Sequence, residues 1–342
     1  MTYSDLYWDD VHKVVEQIPH VSNLFGKSIL ITGATGLIGS SIADILLFLN
    51  KEYNAKIHIV LAGRNKQKLS ERFYFFSENI DFYFLQYEAT SFEMNEIHID
   101  YVIHSASNAD PKMISEQPVE TILSNIIGLS TLFKSAKETQ RFLYISSSEV
   151  YGRKKDNNPY KEEDFGFVDI LNPRASYPSS KRLAETLCAA YGKEYKKDFV
   201  IVRPGHIYGP TASQSDTRAS SQFPRDILLG RNIVMKSSGT QLRSYCYCLD
   251  CASAILSVLI NGKNGDAYNV SNKDSIVTIR QMAEAFAVAG NVEIVLDIPS
   301  DNEKASFNLM DNSNLDSSKI EALGWKAIFS MNEGAKRTLL LM

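Results

Sequence analysis

Cysteine is scarce in this sequence, which has four cysteines among 342 residues. So few cysteines do not predict a disulfide framework, and a reducing cytoplasm is the simplest setting for the chain. Cys246, Cys248 and Cys251 lie close together, but no histidine stands at ligand spacing and the segment continues into an apolar, helix-like stretch. We therefore predict that these cysteines pack in the core and that the protein holds no metal ion.

Basic tracts and long apolar runs are missing as well. The formal net charge is -4 and no Lys- or Arg-rich stretch stands out, which excludes the electrostatic pattern of a nucleic-acid-binding protein. The longest apolar runs, such as that from Ile42 to Leu49, are far too short to span a bilayer. The N-terminus is acidic and aromatic where a secretory signal would be basic and then apolar. We expect a cytoplasmic protein that binds neither nucleic acid nor a membrane.

From Lys27 onward, short apolar runs alternate with longer amphipathic ones. The apolar runs SILITG, KIHIVLAG, DYVIHSAS, RFLYISSS and FVIVRPG are typical of buried strands. Their alternation with helices predicts an α/β fold with a doubly wound parallel sheet, a Rossmann domain, over residues 27–204. After Pro210 the alternation of strand-like and helix-like segments becomes less regular. This change predicts a smaller substrate-binding lobe over 205–342, with the chain crossing between the two parts. Residues 1–26 form an N-terminal extension whose role the sequence does not reveal.

The first apolar run leads into a glycine-rich turn, TGATGLIG, and then into a helix-like segment. Gly33 and Gly36 permit a tight turn and a close approach of the backbone to a pyrophosphate. Gly39 lets the helix pack on the strand with its positive end toward the anion. This order of strand, turn and helix predicts a dinucleotide site. The other residues of the turn that we expect to contact the cofactor are Thr35, Leu37 and Ile38.

The second predicted strand, KIHIVLAGRN, lacks at its end the acidic residue that would hold an adenosine ribose. Gly63 and Arg64 stand there instead. Arg64 could stack on adenine and neutralise a 2'-phosphate, or it could be a solvated loop residue. The cofactor is therefore predicted to be NAD, with NADP as the alternative.

Tyr177 and Lys181 lie four residues apart in SYPSSK, so a helix places them on one face. An ammonium beside a phenol favours the phenolate, and we expect the pKa of Tyr177 to fall from about 10 toward a value useful for taking a hydroxyl proton. The strand RFLYI ends shortly before Ser147, Ser148 and Glu149, at the sheet edge where open α/β folds bind ligands. These five residues are the predicted catalytic group, and Tyr177 and Lys181 are also expected to touch the cofactor.

Five segments follow one another in a specific order: TGATGLIG, HSAS at 104–107, SSSEVYG at 146–152, YPSSK at 177–181 and RPGHIYGP at 203–210. Together they resemble the extended short-chain dehydrogenase/reductase family of nucleotide-sugar epimerases, dehydratases and decarboxylases. The resemblance implies oxidation of a sugar at C4, with Tyr177 as the base and Ser147 bonded to the same oxygen. It also implies a cofactor that passes Ser105 and Ala106, and a homodimer through two helices that flank the sheet.

Within this family the chain most resembles UDP-glucuronate decarboxylases, through NPRASY, SDTR and GTQLRSY. The resemblance makes Arg174, Arg218 and Arg243 candidates for binding the diphosphate or a sugar carboxylate, a task suited to a guanidinium. Ser148 stands where 4,6-dehydratases carry an Asp, and Glu149 stands where simple 4-epimerases usually lack an acid. The specific prediction is decarboxylation of a UDP-hexuronate, with epimerisation, 4,6-dehydration or net NADP-dependent reduction as alternatives.

His206 departs from the decarboxylase pattern, which more often has an Asn that touches the substrate at this place. A His could donate a hydrogen bond to the substrate or merely pack. We keep His206 among the predicted substrate-binding residues.

Overall fold

The computed structural model describes residues 3–76, 82–90, 98–136, 138–297 and 312–342. Strands and helices alternate along most of this chain. The strands are β1 (Ser28–Thr32), β2 (His58–Gly63), β3 (Phe82–Gln86), β4 (Tyr101–His104), β5 (Arg141–Ile145), β6 (Phe199–Pro204), β7 (His206–Tyr208), β8 (Ile233–Met235), β9 (Leu242–Tyr247), β10 (Ala267–Val270), β11 (Ile276–Thr278), β12 (Ile294–Leu296) and β13 (Asn312–Ser313). The helices are α1 (Asp5–Val15), α2 (Leu37–Tyr53), α3 (Lys66–Arg72), α4 (Pro111–Glu116), α5 (Pro118–Ser135), α6 (Ser176–Tyr195), α7 (Ala219–Leu228), α8 (Cys248–Asn261), α9 (Ile279–Gly290), α10 (Ser318–Glu321) and α11 (Met331–Leu341).

A sheet of seven strands forms the centre of the molecule, in the order β10-β6-β5-β4-β1-β2-β3. All neighbouring strands in it are parallel. The order reverses beside β1, because successive strands are added first on one side of it and then on the other. The predicted α/β class and doubly wound Rossmann sheet are confirmed.

Both faces of this sheet are covered, as a parallel sheet requires. Side chains alternate along β1, so Ile29 and Ile31 pack in the core cluster that includes α2 and α8. Leu30 points to the other face and packs in the cluster that includes α5 and α6. The carboxyl ends of the strands are left open between these layers, which is where a ligand can enter.

The N-terminal extension packs on the layer of helices that covers one face of the sheet. Helix α1 packs on α2 and α8. Its inner face is fully buried through Tyr7, Val11 and Val14, and the Ser4 side chain caps its first turn. The extension is therefore part of the folded body of the protein.

The chain after residue 205 contributes to two places. Strands β7, β9, β11 and β13 form a small sheet, and β8 pairs with β12. Between these elements, α8 packs against α2 and β10 joins the edge of the large sheet beside β6.

The described residues contain no helix with the combination of length and apolarity that a membrane crossing needs. Within the same ranges, no group of three or more His, Cys, Asp or Glu side chains is arranged to hold a metal ion. Cys246, Cys248 and Cys251 are free thiols in the core, as predicted.

Candidate active site

The glycine-rich turn between β1 and α2 is built on two close backbone contacts. Gly33 has a φ of 68°, in the left-handed region, and a Cβ on it would lie 2.9 Å from the backbone nitrogen of Ala106. A Cβ on Gly39 would lie 2.4 Å from the carbonyl oxygen of Gly33. Side chains are excluded from both positions, so the turn keeps its backbone next to the end of β4.

The N-terminus of α2 meets the space beside this turn. Gly36 is the residue before the helix, it is exposed, and no side chain caps the first turn. Thr35 and Ile38 are half-buried beside it, and Leu37 is buried. A helix start with free N–H groups and no side chain in front of it fits the pyrophosphate of a dinucleotide.

The loop after β4 closes the other side of the same space. The Thr32 hydroxyl lies 2.8 Å from Nδ1 of His104 and accepts the N–H groups of Ser105, at 3.2 Å, and Ala106, at 3.3 Å. Burial lowers the pKa of His104 to about 3, so its ring is neutral. Ser105 and Ala106 thus lie beside the glycine turn, where we predicted that they contact the cofactor.

Arg64 follows β2 directly and is exposed. Thr32 pairs with Ala62 across β1 and β2, so Arg64 lies at the same edge of the sheet as the glycine turn. The contact of Arg64 with the cofactor stays a prediction. The roles left open are stacking on adenine, neutralising a 2'-phosphate, or facing solvent without contacting the cofactor.

Replacing Gly36 by Val should weaken NAD binding by at least about tenfold in Kd, because the side chain would occupy space that the pyrophosphate needs. The fold should be little affected, since a Cβ at this position meets only the carbonyl oxygen of Gly33, at 3.2 Å. Fluorescence titration with NAD and thermal melting measure the two effects.

Gly39→Ala is the contrasting variant, because its Cβ would clash with the backbone and should lower both NAD affinity and stability. Wild-type NAD affinity in Gly36→Val would remove this turn from the cofactor site.

The predicted catalytic residues come together at the end of β5. Tyr177 and Lys181 are buried on α6, and the Lys181 ammonium donates to the Ile145 carbonyl at 2.8 Å. The Ser147 side chain lies close enough to Tyr177 to lower its pKa by hydrogen bonding. Ser148 is buried next to them, and the N–H of Glu149 donates to Ser147 Oγ at 3.2 Å.

The expected lowering of the Tyr177 pKa by Lys181 is wrong for this structure. Burial raises the pKa of Tyr177 to about 12, and the charge of Glu149 raises it further, against opposing effects of Ser147 and two arginines. Burial also lowers the pKa of Lys181 to about 7. The physical reason is that both groups lie in a medium that disfavours their charged forms, and helical spacing says nothing about burial.

The predicted substrate-binding residues act electrostatically on Tyr177 or on one another. Arg174 pairs with Glu149 at 2.9 Å, and its charge, like that of Arg218, lowers the pKa of Tyr177. His206 is held neutral, with a pKa of about 3, first by burial and then by the charges of Arg243 and Arg218. The structure therefore places Arg174 and Arg218 close enough to Tyr177, and Arg243 and Arg218 close enough to His206, for their charges to act on these groups.

Arg218 and Arg243 are both anchored within the protein. The Arg218 guanidinium donates to both carboxylate oxygens of Asp216, at distances from 2.5 to 3.1 Å. Arg243 is buried on β9 and donates to the Leu242 carbonyl at 2.9 Å. Asp216 was not predicted, although its place two residues before Arg218 in SDTR is a signal for such a pair.

Arg182 is a second residue that the sequence analysis missed. Its guanidinium donates to the carbonyls of Val150, Tyr151 and Gly166, at 2.6 to 3.1 Å. These contacts hold the segment that carries Ser148 and Glu149 against α6. No sequence signal marks this role, because the acceptors are backbone atoms that every residue has.

Comparison with known proteins agrees with this geometry. Residues 29–271 match the NAD dependent epimerase/dehydratase family, and the chain belongs to that family. The predicted family and the prediction of an enzyme are confirmed, and the family description names the predicted cofactor, NAD.

Two relatives and one solved structure illustrate the range of this family. UDP-glucuronic acid decarboxylase 1 of Xenopus tropicalis is 29% identical over 317 residues, which are 92% of this chain and 71% of the relative. The dTDP-D-glucose 4,6-dehydratase of Mus musculus is 27% identical over 332 residues, covering 92% of this chain and 88% of the relative. The crystal structure of UDP-glucose 4-epimerase from Thermotoga maritima aligns with a TM-score of 0.78 and 21% identity, over 92% of this chain and 98% of that one. This structural likeness shows the fold.

Proposed function

We propose that the protein is an NAD-dependent enzyme that modifies a nucleotide sugar through a 4-keto intermediate, and that its reaction is decarboxylation of a UDP-hexuronate. The observation that carries the proposal is the group of side chains around Tyr177. Ser147, Arg174 and Arg218 all lie close enough to Tyr177 to lower its pKa, and Lys181 lies on the same helix, where it donates to the Ile145 carbonyl.

The cofactor would be held by Gly33, Gly36 and Gly39 with the N-terminus of α2, and by the loop of Ser105 and Ala106. NAD, when bound, supplies a hydride acceptor for the sugar and returns the hydride at the end of the cycle.

Tyr177 would take the proton of the sugar C4 hydroxyl while Ser147 holds the same oxygen by a hydrogen bond. Both residues then face a carbonyl oxygen at C4, with the Tyr177 phenol protonated. That step needs a lowered Tyr177 pKa, and the charges of Arg174 and Arg218 and the hydrogen bond from Ser147 already act in that direction.

In a hexuronate, a ketone at C4 weakens the bond between C5 and the carboxylate carbon C6. The 4-keto sugar is then a β-keto acid, which loses carbon dioxide readily. As carbon dioxide leaves, the electrons of the bond between C5 and C6 move onto the C4 oxygen. The hydroxyl donors Ser147 and Tyr177 would stabilise that oxygen. A proton then adds to C5, and the ketone at C4 is reduced, so the cofactor is regenerated.

Charge and side-chain identity favour this route over its alternatives. Arg174 and Arg218, each paired with a carboxylate, lie close enough to Tyr177 for their charges to act on it, and positive charge at this place suits an acidic sugar. Ser148 offers no carboxylic acid to protonate a leaving hydroxyl, which disfavours 4,6-dehydration. The similarity to a UDP-glucuronic acid decarboxylase also supports the proposal.

We expect the purified protein with NAD to convert UDP-glucuronate with release of carbon dioxide, followed with carboxyl-labelled substrate and by mass spectrometry of the product. Arg243→Ala should lower kcat/KM for this substrate by about tenfold to a hundredfold, the effect of removing one charged hydrogen bond. Arg280→Ala is the matched control, because Arg280 is an exposed guanidinium paired with Glu284 on α9 and should leave the rate unchanged.

Epimerisation or dehydration of a neutral nucleotide hexose, without carbon dioxide from UDP-glucuronate, would contradict the decarboxylase assignment. Net formation of NADPH or NADP without a second sugar step would favour the reductase alternative.

The proposed homodimer has support on the outer face of α5 and α6. Apolar side chains are exposed to water on this face of the single chain, and a dimer through α5 and α6 would bury them. They are Val119, Ile122, Leu123 and Ile127 on α5, and Leu183 and Tyr195 on α6.

A cytoplasmic location is likewise a proposal, supported by four free cysteines.

A further inference from the structure

One segment of the second part of the chain, residues 211–218, is hydrogen-bonded at one end to α2 and at the other to the loop before α4; we name it the strap. At its start, the buried Thr211 hydroxyl donates to the Leu37 carbonyl at 3.1 Å and lies 3.3 Å from the Ser41 hydroxyl. At its end, both the N–H and the hydroxyl of Thr217 donate to one oxygen of Asp110, at 2.7 and 2.8 Å. The strap therefore crosses from the start of α2 to the start of α4.

Asp110 uses its two carboxylate oxygens for different tasks. Oδ1 accepts the N–H groups of Lys112 and Met113, at 3.0 and 3.2 Å, and so caps α4. Oδ2 accepts the two donors of Thr217. Asp110 thus connects the loop after β4, which borders the predicted cofactor site, to the strap.

The strap carries Arg218 with its side chain fixed. Asp216 accepts both the backbone N–H of Arg218, at 3.0 Å, and its guanidinium. Burial would raise the pKa of Asp216, but these contacts with Arg218 outweigh it and the pKa is lowered, so the pair stays charged. Arg225 also contacts the carbonyls of Gln214 and Asp216. Because the guanidinium is fixed to the strap, its position relative to Tyr177 depends on where the strap lies.

We propose that Asp110 is a positioning residue for nucleotide-sugar binding: its bond to Thr217 sets the strap so that Arg218 faces the diphosphate of the substrate. This inference rests on the proposed function for the identity of the ligand. Asp110 itself touches no substrate. It acts through Thr217, the residue next to Arg218.

Asp110→Asn is the sharpest variant, because an amide oxygen still caps α4 while the amide nitrogen that replaces Oδ2 cannot accept from Thr217. We expect UDP to bind about tenfold more weakly to Asp110→Asn in isothermal titration calorimetry, with NAD affinity and melting temperature close to those of the wild type. Arg218→Ala should weaken UDP binding at least as much. Glu116→Gln is the matched control, since it neutralises an exposed carboxylate on the same helix and should bind UDP normally.

Thr217→Val tests the same bond from the other side, because it removes the hydroxyl and keeps the N–H. It should weaken UDP binding less than Asp110→Asn does, and the double variant should bind no more weakly than Asp110→Asn alone. Thr217→Ser should restore wild-type affinity. If Asp110→Asn fails to fold, the UDP affinities of Thr217→Val and Thr217→Ser still test whether this bond positions Arg218.

Wild-type UDP affinity in a folded Asp110→Asn, or fully additive losses in the double variant, would overturn the inference. The measurement needs no turnover. Weakened UDP binding together with no carbon dioxide from UDP-glucuronate would therefore refute the proposed reaction and support the role of Asp110.

Discussion

Tyr177→Phe should reduce kcat by about 10²- to 10⁴-fold, the usual effect of removing a positioned acid-base group. Only the phenolic oxygen is lost, so NAD affinity and the melting temperature should stay close to those of the wild type. The Ser147 hydroxyl still accepts the N–H of Glu149, so the local backbone should be unchanged. Initial rates at saturating UDP-glucuronate and NAD, with thermal melting of the same sample, measure the effect.

Tyr195→Phe is the matched control for this prediction. It removes the same atom from the same helix, but its ring is exposed at the end of α6, and we expect an unchanged rate. A Tyr177→Phe enzyme with near-normal kcat would show that another group moves the proton.

Asp44→Ala should lower the free energy of unfolding by about 3–5 kcal/mol, the cost of leaving one partner of a buried ion pair without the other. Asp44 is fully buried on α2, the helix that follows the glycine turn. Its carboxylate accepts the hydroxyls of Tyr3, at 2.7 Å, and Tyr7, at 2.6 Å, and pairs with the Arg72 guanidinium at 2.5 Å. Urea denaturation followed by far-UV circular dichroism gives the change in free energy.

Tyr7→Phe should cost less than Asp44→Ala, about 1 kcal/mol, because it removes one hydrogen bond and leaves the ion pair intact. Asp9→Ala is the control, since Asp9 is an exposed carboxylate on α1. An Asp44→Ala protein as stable as the wild type would mean that the carboxylate does not hold the N-terminal extension to the domain.

The two variants test different levels of the structure. Tyr177 lies near the carboxyl edge of the sheet, whereas Asp44 lies on the helix after the glycine-rich turn and joins α1, α2 and α3. The role of residues 1–26 could not be derived from the sequence, because it depends on contacts between Tyr7 and Asp44, which are 37 positions apart.

Local patterns were sufficient for the parts of the site that the backbone geometry controls. The spacing of Gly33, Gly36 and Gly39 predicted a turn in which two of the three positions exclude a Cβ. The four-residue spacing of Tyr177 and Lys181 predicted one helical face. These features follow from residues that are close in sequence, so steric rules and helical periodicity apply directly.

The sequence by itself determined the α/β class, the order of strand, turn and helix at the predicted cofactor site, and the family to which the chain belongs. Only the tertiary structure decided the direction of the pKa shifts of Tyr177 and Lys181, the pairing of Glu149 with Arg174, and the bond that Asp110 accepts from Thr217. Ionisation depends on how much water surrounds a group, and these pairs join distant parts of the chain. Burial and long-range contacts exist only once the sheet has brought its strand ends together.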